Sequence, residues 1–228
     1  MALYVDTAAL PEAEWALRLP FVSGFTCNPV LVAEALGKSE VPQNLYDAHL
    51  EQLAALAVPD DRLFVQVTSV DEAGIRAEAQ RLIAALLKGG ERKLEITIKI
   101  PFTEEGLAAA HALNSSKVSV AITGVFSPEQ AYMAGATGVD YVIPYVSRLM
   151  PVELGPVPVV REMLEILKVQ GLSCRLLAAS VKSASDLCQL LLMDGVDVTV
   201  PPSLLRATFG QPALKEANTR FKDALKIH

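Results

Sequence analysis

Lys99 is the sole cation in a strand-like run, Leu94-Glu95-Ile96-Thr97-Ile98-Lys99-Ile100-Pro101. Two-residue alternation places Leu94, Ile96, Ile98 and Ile100 on one face and Glu95, Thr97 and Lys99 on the other. Pro101 ends the strand because it has no N–H to donate. An amine at the end of an apolar strand is poorly solvated, and burial lowers a lysine pKa from about 10.4. The neutral amine can attack a carbonyl and form a Schiff base. This strand fits equally a structural lysine paired with Glu95 or another carboxylate.

Other strand ends carry further reactive side chains. Asp6 and Thr7 close the first strand, Thr26 and Asn28 the second, and Gln66 and Thr68 the third. Thr123, Tyr145 with Arg148, Ser180 with Lys182, and Thr199 follow in the same positions further on. Each has a plain structural role available: Asp6 and Asn28 as helix caps, Gln66 as a satisfied core amide, Tyr145 as a wall residue. Together they put a carboxylate, amides, hydroxyls, a phenol and cations on one rim. Arg148 and Lys182 lie just past their strands, beside Ser180 and a helix start near Ser183, an arrangement suited to a phosphate group. A solvated rim is the alternative for both cations.

The elements that position these groups alternate along the chain. Strands are expected at Leu3–Thr7, Val22–Cys27, Leu63–Thr68, Leu94–Ile100, Val118–Thr123, Tyr141–Val146, Arg175–Ala179 and Val198–Val200. Amphipathic helical stretches lie between them, among them Glu72–Leu87, Glu104–Leu113, Pro158–Val169 and Ala184–Met193. In Glu72–Leu87, Ile75, Ala79, Leu82, Ile83 and Leu86 form one apolar stripe. Eight strand–helix units in 228 residues point to an α/β chain of the (β/α)8 barrel class, with reactive groups at the C-terminal strand ends. A doubly wound open sheet would carry a glycine-rich phosphate loop after its first strand, and none is present. Residues 1–228 are read as one barrel domain, with 211–228 as a C-terminal helix. Leu214, Phe221 and Leu225 share a face of that helix, with Ala217 alongside, for packing on its own barrel or on a neighbouring subunit. The proline-rich segment from Pro151 to Pro158 is read as a rim loop.

Composition narrows the function classes. The chain is 51% hydrophobic and 20% charged, an ordinary globular balance. Twenty Lys and Arg stand against 26 Asp and Glu, a net charge of −6, without a basic cluster to hold nucleic acid. No apolar run approaches the ~18 residues needed to span a bilayer, so no membrane partner is expected. Asp6 falls inside the first apolar segment, so that segment is not expected to be a secretion signal. Cys27, Cys174 and Cys188 are odd in number and widely spaced, which suits a reducing compartment and argues against disulfides and a zinc site. Asn114-Ser115-Ser116 matches a glycosylation sequon by chance.

The chain resembles the transaldolase and fructose-6-phosphate aldolase family over essentially its whole length. The likeness rests on Leu3-Tyr4-Val5-Asp6-Thr7, Gly24-Phe25-Thr26-Cys27-Asn28-Pro29, Phe64-Val65-Gln66-Val67, the run from Ile98 to Leu107, Pro144-Tyr145-Val146-Ser147-Arg148, and Leu177-Ala178-Ala179-Ser180-Val181-Lys182. The resemblance implies a cytoplasmic (β/α)8 barrel that needs no metal or organic cofactor and forms a homo-oligomer through a terminal helix. It also makes Lys99 the imine-forming lysine. Asp6 would contact sugar hydroxyls and move a proton, while Gln66, Thr123 and Tyr145 would position a water. Thr26 and Asn28 would hold the dihydroxyacetone part, and Arg148, Ser180 and Lys182 the phosphate.

Within the family, transaldolases carry glutamate where this chain has Gln66, asparagine where it has Ala121, and phenylalanine where it has Tyr145. The present combination resembles the fructose-6-phosphate aldolases, which favours aldol cleavage over dihydroxyacetone transfer. Cys27 departs from the usual threonine, and the segment after Arg148 departs from a more polar, glycine-containing one. The alternatives are a transaldolase and a barrel that only binds a sugar phosphate. Deoxyribose-phosphate-type aldolases carry a second lysine beside the reactive one, and this strand face offers only Lys99 and Glu95.

Overall fold

The computed structural model describes residues 1–87, 94–114, 118–149 and 155–225. Eight strands run in chain order: β1 Leu3–Asp6, β2 Val22–Thr26, β3 Arg62–Gln66, β4 Glu95–Pro101, β5 Ser119–Val125, β6 Tyr141–Pro144, β7 Arg175–Ala178 and β8 Val196–Val200. Each pairs in parallel with the next, and β8 returns to β1, closing the barrel. The (β/α)8 architecture read from the sequence is therefore the architecture of the molecule.

Helices cover the outside: α1 Leu10–Leu17, α2 Pro29–Ala35, α3 Gln43–Leu56, α4 Glu72–Leu86, α5 Glu104–Asn114, α6 Pro128–Ala136, α7 Val157–Val169, α8 Ala184–Leu191, α9 Pro202–Phe209 and α10 Pro212–Leu225. Two helices, α2 and α3, follow β2 where one was expected. The α4 stripe forms as read, with Ile75, Ala79, Leu82 and Leu86 buried, and Glu78 is buried among them. Of the proline-rich loop, positions 151–154 lie outside the described residues, as do positions 115 and 116 of the sequon. Val157 and Pro158 belong to the first turn of α7, where proline's missing N–H costs nothing.

The barrel interior is stacked in layers. At the N-terminal end, Arg62 pairs with Glu95, and Arg175 with Asp197. Above them Phe64 meets the rings of Tyr4 and Tyr141 edge-on at 5.0 and 5.1 Å. Burial pushes both tyrosine hydroxyls to higher pKa. Ala121, Ile143 and Leu177 complete this dry floor. The layer above it, at the C-terminal strand ends, is polar.

All eight strands differ from the sequence reading by one or two residues at an end, and three of the shifts have a visible cause. β8 starts at Val196, because Asp197 faces inward to pair with Arg175 rather than ending the strand. β5 continues past Thr123 to Val125 through Gly124, whose φ of +77° produces a register shift. β6 stops at Pro144, so Tyr145 lies just beyond it and Val146 begins a 3-10 turn, Val146–Arg148.

Candidate active site

A cleft of about 510 Å³ opens at the C-terminal end of the barrel. Nine of the ten residues to which the resemblance gave roles line it: Asp6, Thr26, Asn28, Gln66, Lys99, Tyr145, Arg148, Ser180 and Lys182. Thr123 stands behind this wall and reaches the cleft through Tyr145, its hydroxyl donating to the phenol oxygen at 3.2 Å.

Lys99 sits near the centre of the lining. β4 pairs it with Gln66 on β3 and with Ala121 on β5. It is 4% exposed, and its Nζ donates to the Cys27 backbone carbonyl at 2.9 Å. Among the described residues it makes no ion pair. Glu95, the carboxylate expected as its structural partner, lies four residues down the strand and pairs with Arg62 instead. A buried amine bonded to a neutral carbonyl is the arrangement a nucleophile needs and a structural salt bridge does not.

On the β1–β2 side a hydroxyl relay leads to Asp6. Thr26 Oγ1 donates to Asp6 Oδ1 at 2.7 Å and lies 2.8 Å from Thr199 Oγ1. Thr26 has one hydroxyl proton, given to the carboxylate, so Thr199 is the donor in the second bond. The relay fixes the carboxylate in the cleft wall. Asp6 is thus not a helix cap. Asn28 is one: its Oδ1 accepts from the Val30 and Leu31 N–H groups at the start of α2. The cap leaves its amide nitrogen uncommitted.

Gln66 has a buried Oε1 with no hydrogen-bond partner among the described residues. That is the signature of a group awaiting water or ligand rather than a satisfied core amide. Tyr145 is half-buried, its ring flanked by Phe126 at 5.7 Å and by the Arg148 guanidinium at 5.4 Å. Ser180 adopts φ +59°, a strained conformation for a non-glycine residue, and its hydroxyl lies 2.7 Å from that of Ser147. Exposed Arg148 and Lys182 flank it, and Ser183 caps α8 just beyond by accepting from Asp186 N–H. Two cations and the Ser180 hydroxyl thus share one corner of the cleft.

Thr68, read from the sequence as a rim group, faces a neighbouring hollow of about 480 Å³ rather than the cleft. Thr7 instead caps the first turn before α1 through Ala9 N–H. Sequence reasoning missed Glu34, which lines both hollows from α2, because nothing in an exposed helical glutamate marks it out. It also gave no role to Ser147 or to the Cys27 carbonyl, whose use of the backbone leaves no trace in residue type. Among the described residues no cluster of His, Cys, Asp and Glu is arranged to hold a metal, and no helix is long and apolar enough to cross a membrane.

Comparisons with known proteins identify the family. Residues 3–227 match the family described as Transaldolase/Fructose-6-phosphate aldolase. A probable transaldolase of Thermus thermophilus is 30% identical over 223 residues, covering 97% of this chain and 96% of that protein. One from Thermoplasma volcanium is 29% identical over 226 residues, 99% of this chain and 96% of its own. In solved structures, 2,3-dimethylmalate lyase shares the fold alone, with a TM-score of 0.64 at 12% identity over 98% of this chain and 82% of that one. The match across nearly the whole sequence makes this chain a member of the transaldolase/fructose-6-phosphate aldolase family, enzymes of the Schiff-base aldolase and transaldolase type.

Proposed function

We propose that the enzyme cleaves and forms the C3–C4 bond of a ketose phosphate such as fructose 6-phosphate, giving dihydroxyacetone and glyceraldehyde 3-phosphate. The carrying observation is the buried Lys99 amine, bonded among the described residues to a backbone carbonyl alone and open to a cleft with a cationic corner.

In this reading the neutral amine attacks C2, the C2 oxygen leaves as water, and an iminium forms. Asp6 accepts the C4 hydroxyl proton. The C3–C4 electron pair then moves into the iminium, releasing the aldehyde and leaving an enamine on Lys99. Protonation at C3 and hydrolysis return dihydroxyacetone and the free amine. Gln66, Thr123 and Tyr145 hold the water that moves these protons, with the Tyr145 hydroxyl as donor. Thr26 and Asn28 orient the dihydroxyacetone unit, and Arg148, Ser180 and Lys182 hold the phosphate.

Gln66, Ala121 and Tyr145 support cleavage over transfer, since all three differ from the transaldolase pattern. The names of the relatives at 29–30% identity favour the second reading, transfer of a dihydroxyacetone unit between sugar phosphates such as sedoheptulose 7-phosphate and glyceraldehyde 3-phosphate. Release of glyceraldehyde 3-phosphate from fructose 6-phosphate, measured with and without erythrose 4-phosphate, separates the two. Release without the acceptor supports the aldolase, and strict dependence on it establishes the transferase. Borohydride reduction with fructose 6-phosphate should leave the added mass on Lys99, and an adduct on another lysine defeats the assignment.

The same reading extends to assembly as a homo-oligomer. α10 is exposed along nearly its full length, with Leu214 and Phe221 open to solvent. Light scattering should give a multiple of 24.4 kDa. A monomer would end this proposal without touching the chemistry.

A further inference from the structure

We infer that Glu78 is a positioning residue, which sets Gln66 against Lys99 by clamping the chain after β3. The inference rests on the reading of Gln66 as a holder of the reactive water.

Glu78 is 6% exposed and interrupts the apolar stripe of α4, where a carboxylate is costly unless its oxygens are fully bonded. Its Oε2 accepts from the Thr68 and Ser69 N–H groups at 2.9 and 2.8 Å. Its Oε1 accepts from the Thr68 hydroxyl at 3.0 Å. Just upstream, Val67 N–H donates to the Lys99 carbonyl at 3.1 Å, and the Tyr46 hydroxyl donates to the Gln66 carbonyl at 2.8 Å. Four consecutive residues are thus pinned, at one end to Lys99 and at the other to a carboxylate from a helix outside the barrel. Loop N–H groups are ordinarily satisfied by water at no such desolvation cost. Holding them with a buried carboxylate fixes the backbone that carries Gln66, whose own Oε1 is left free for a ligand.

The test is a double-mutant comparison, with kcat and KM read from glyceraldehyde 3-phosphate release, with erythrose 4-phosphate present if release requires it. Glu78→Ala should lower kcat roughly 10- to 100-fold, the scale of an ångström-sized misplacement. KM should stay near the wild-type value, because the phosphate corner lies beyond β6 and β7. Glu78→Gln should restore most of kcat: its amide oxygen can take both N–H bonds, and its amide nitrogen can donate to Thr68. In a Gln66→Ala background, Glu78→Ala should lower kcat no further. Additive losses, or a lowered melting temperature with kcat intact, overturn the inference. Wild-type kcat in Gln66→Ala alone overturns the reading of Gln66 beneath it. Should Glu78→Ala not fold, Glu78→Asp, one methylene too short to reach the loop, carries the same comparison.

Discussion

The Lys99 amine hangs from the Cys27 carbonyl at 2.9 Å, so the residue that departs from the family pattern holds the amine through its backbone and not through its thiol. The thiol points away, its sulfur 3.5 Å from the Phe64 carbonyl. Cys27→Ser should therefore leave the trapped Lys99 adduct intact and kcat within a few-fold of wild type. The buried hydroxyl finds the same Phe64 acceptor, and the stability change should stay near 1 kcal/mol. Lys99→Met should abolish both adduct and turnover. A Cys27→Ser enzyme without activity would show that the sulfur takes part.

Burial pushes the Cys27 thiol up to about 12, opposed by Lys99 and aided by Asp6. Cys174 is pushed up to about 11, again by burial, and Cys188 is exposed. At pH 8 the Cys27 thiolate is about one part in 10⁴, and the thiolate is the reactive form. Iodoacetamide should modify Cys188 first, Cys174 slowly and Cys27 only on unfolding, as peptide mapping will show. A raised folded-state value also fixes the sign of the pH effect. The unfolded thiol ionises near its usual value of 9 while the buried one stays protonated, so stability falls as pH climbs from about 9 towards 12. Prompt labelling of Cys27 at pH 8 would contradict its burial.

Tyr145 carries its ring and its hydroxyl in separate environments, which makes the hydroxyl removable. Tyr145→Phe keeps the contacts with Phe126 and Arg148 and loses only the bond from Thr123. Fructose 6-phosphate cleavage should fall roughly 10²- to 10⁴-fold, the usual weight of a proton shuttle. KM should change little, because the Arg148 corner is untouched. Steady-state kinetics with and without an acceptor aldehyde will also show whether transfer survives, as the phenylalanine of transaldolases implies. An unchanged cleavage rate would remove Tyr145 from the proton path.

The barrel was legible because its strands are short, apolar and regularly spaced, and period two fixed which end of each side-chain row faced the rim. Nine of the ten residues expected from strand ends and the family resemblance line the cleft. What escaped was whatever the chain does with polar groups inside apolar elements. Asp197 fell outside the strand expected at Val198–Val200 and proved to be an interior ion-pair partner. Glu78 was no part of the apolar stripe expected in Glu72–Leu87 and proved to be buried beside it. Asn28 was read both as a cap and as a ligand-facing amide, and its side chain has one end for each. Burial of a charged group depends on partners distant in sequence, and local spacing does not carry that information.

Asp197 offers the stability counterpart to these catalytic tests. It is 2% exposed, and its carboxylate accepts two bonds from Arg175, at 2.9 and 2.7 Å, and one from Ala2 N–H at 2.6 Å. Removing one partner of a buried pair costs about 3–5 kcal/mol, mostly by stranding the other charge. Arg175 is 40% exposed and can turn to water, which lowers the expected cost of Asp197→Ala to roughly 2–3 kcal/mol. For a chain of this length that is a melting temperature lower by roughly 4–12 °C. The pair closes the barrel end opposite the cleft, with the Tyr4, Phe64 and Tyr141 rings between them. Calorimetry should therefore show the loss while kcat at 25 °C holds, since strand ends on that side serve stability and not chemistry. A matching fall in kcat well below the melting transition would mean that the aromatic floor transmits the disturbance to Lys99.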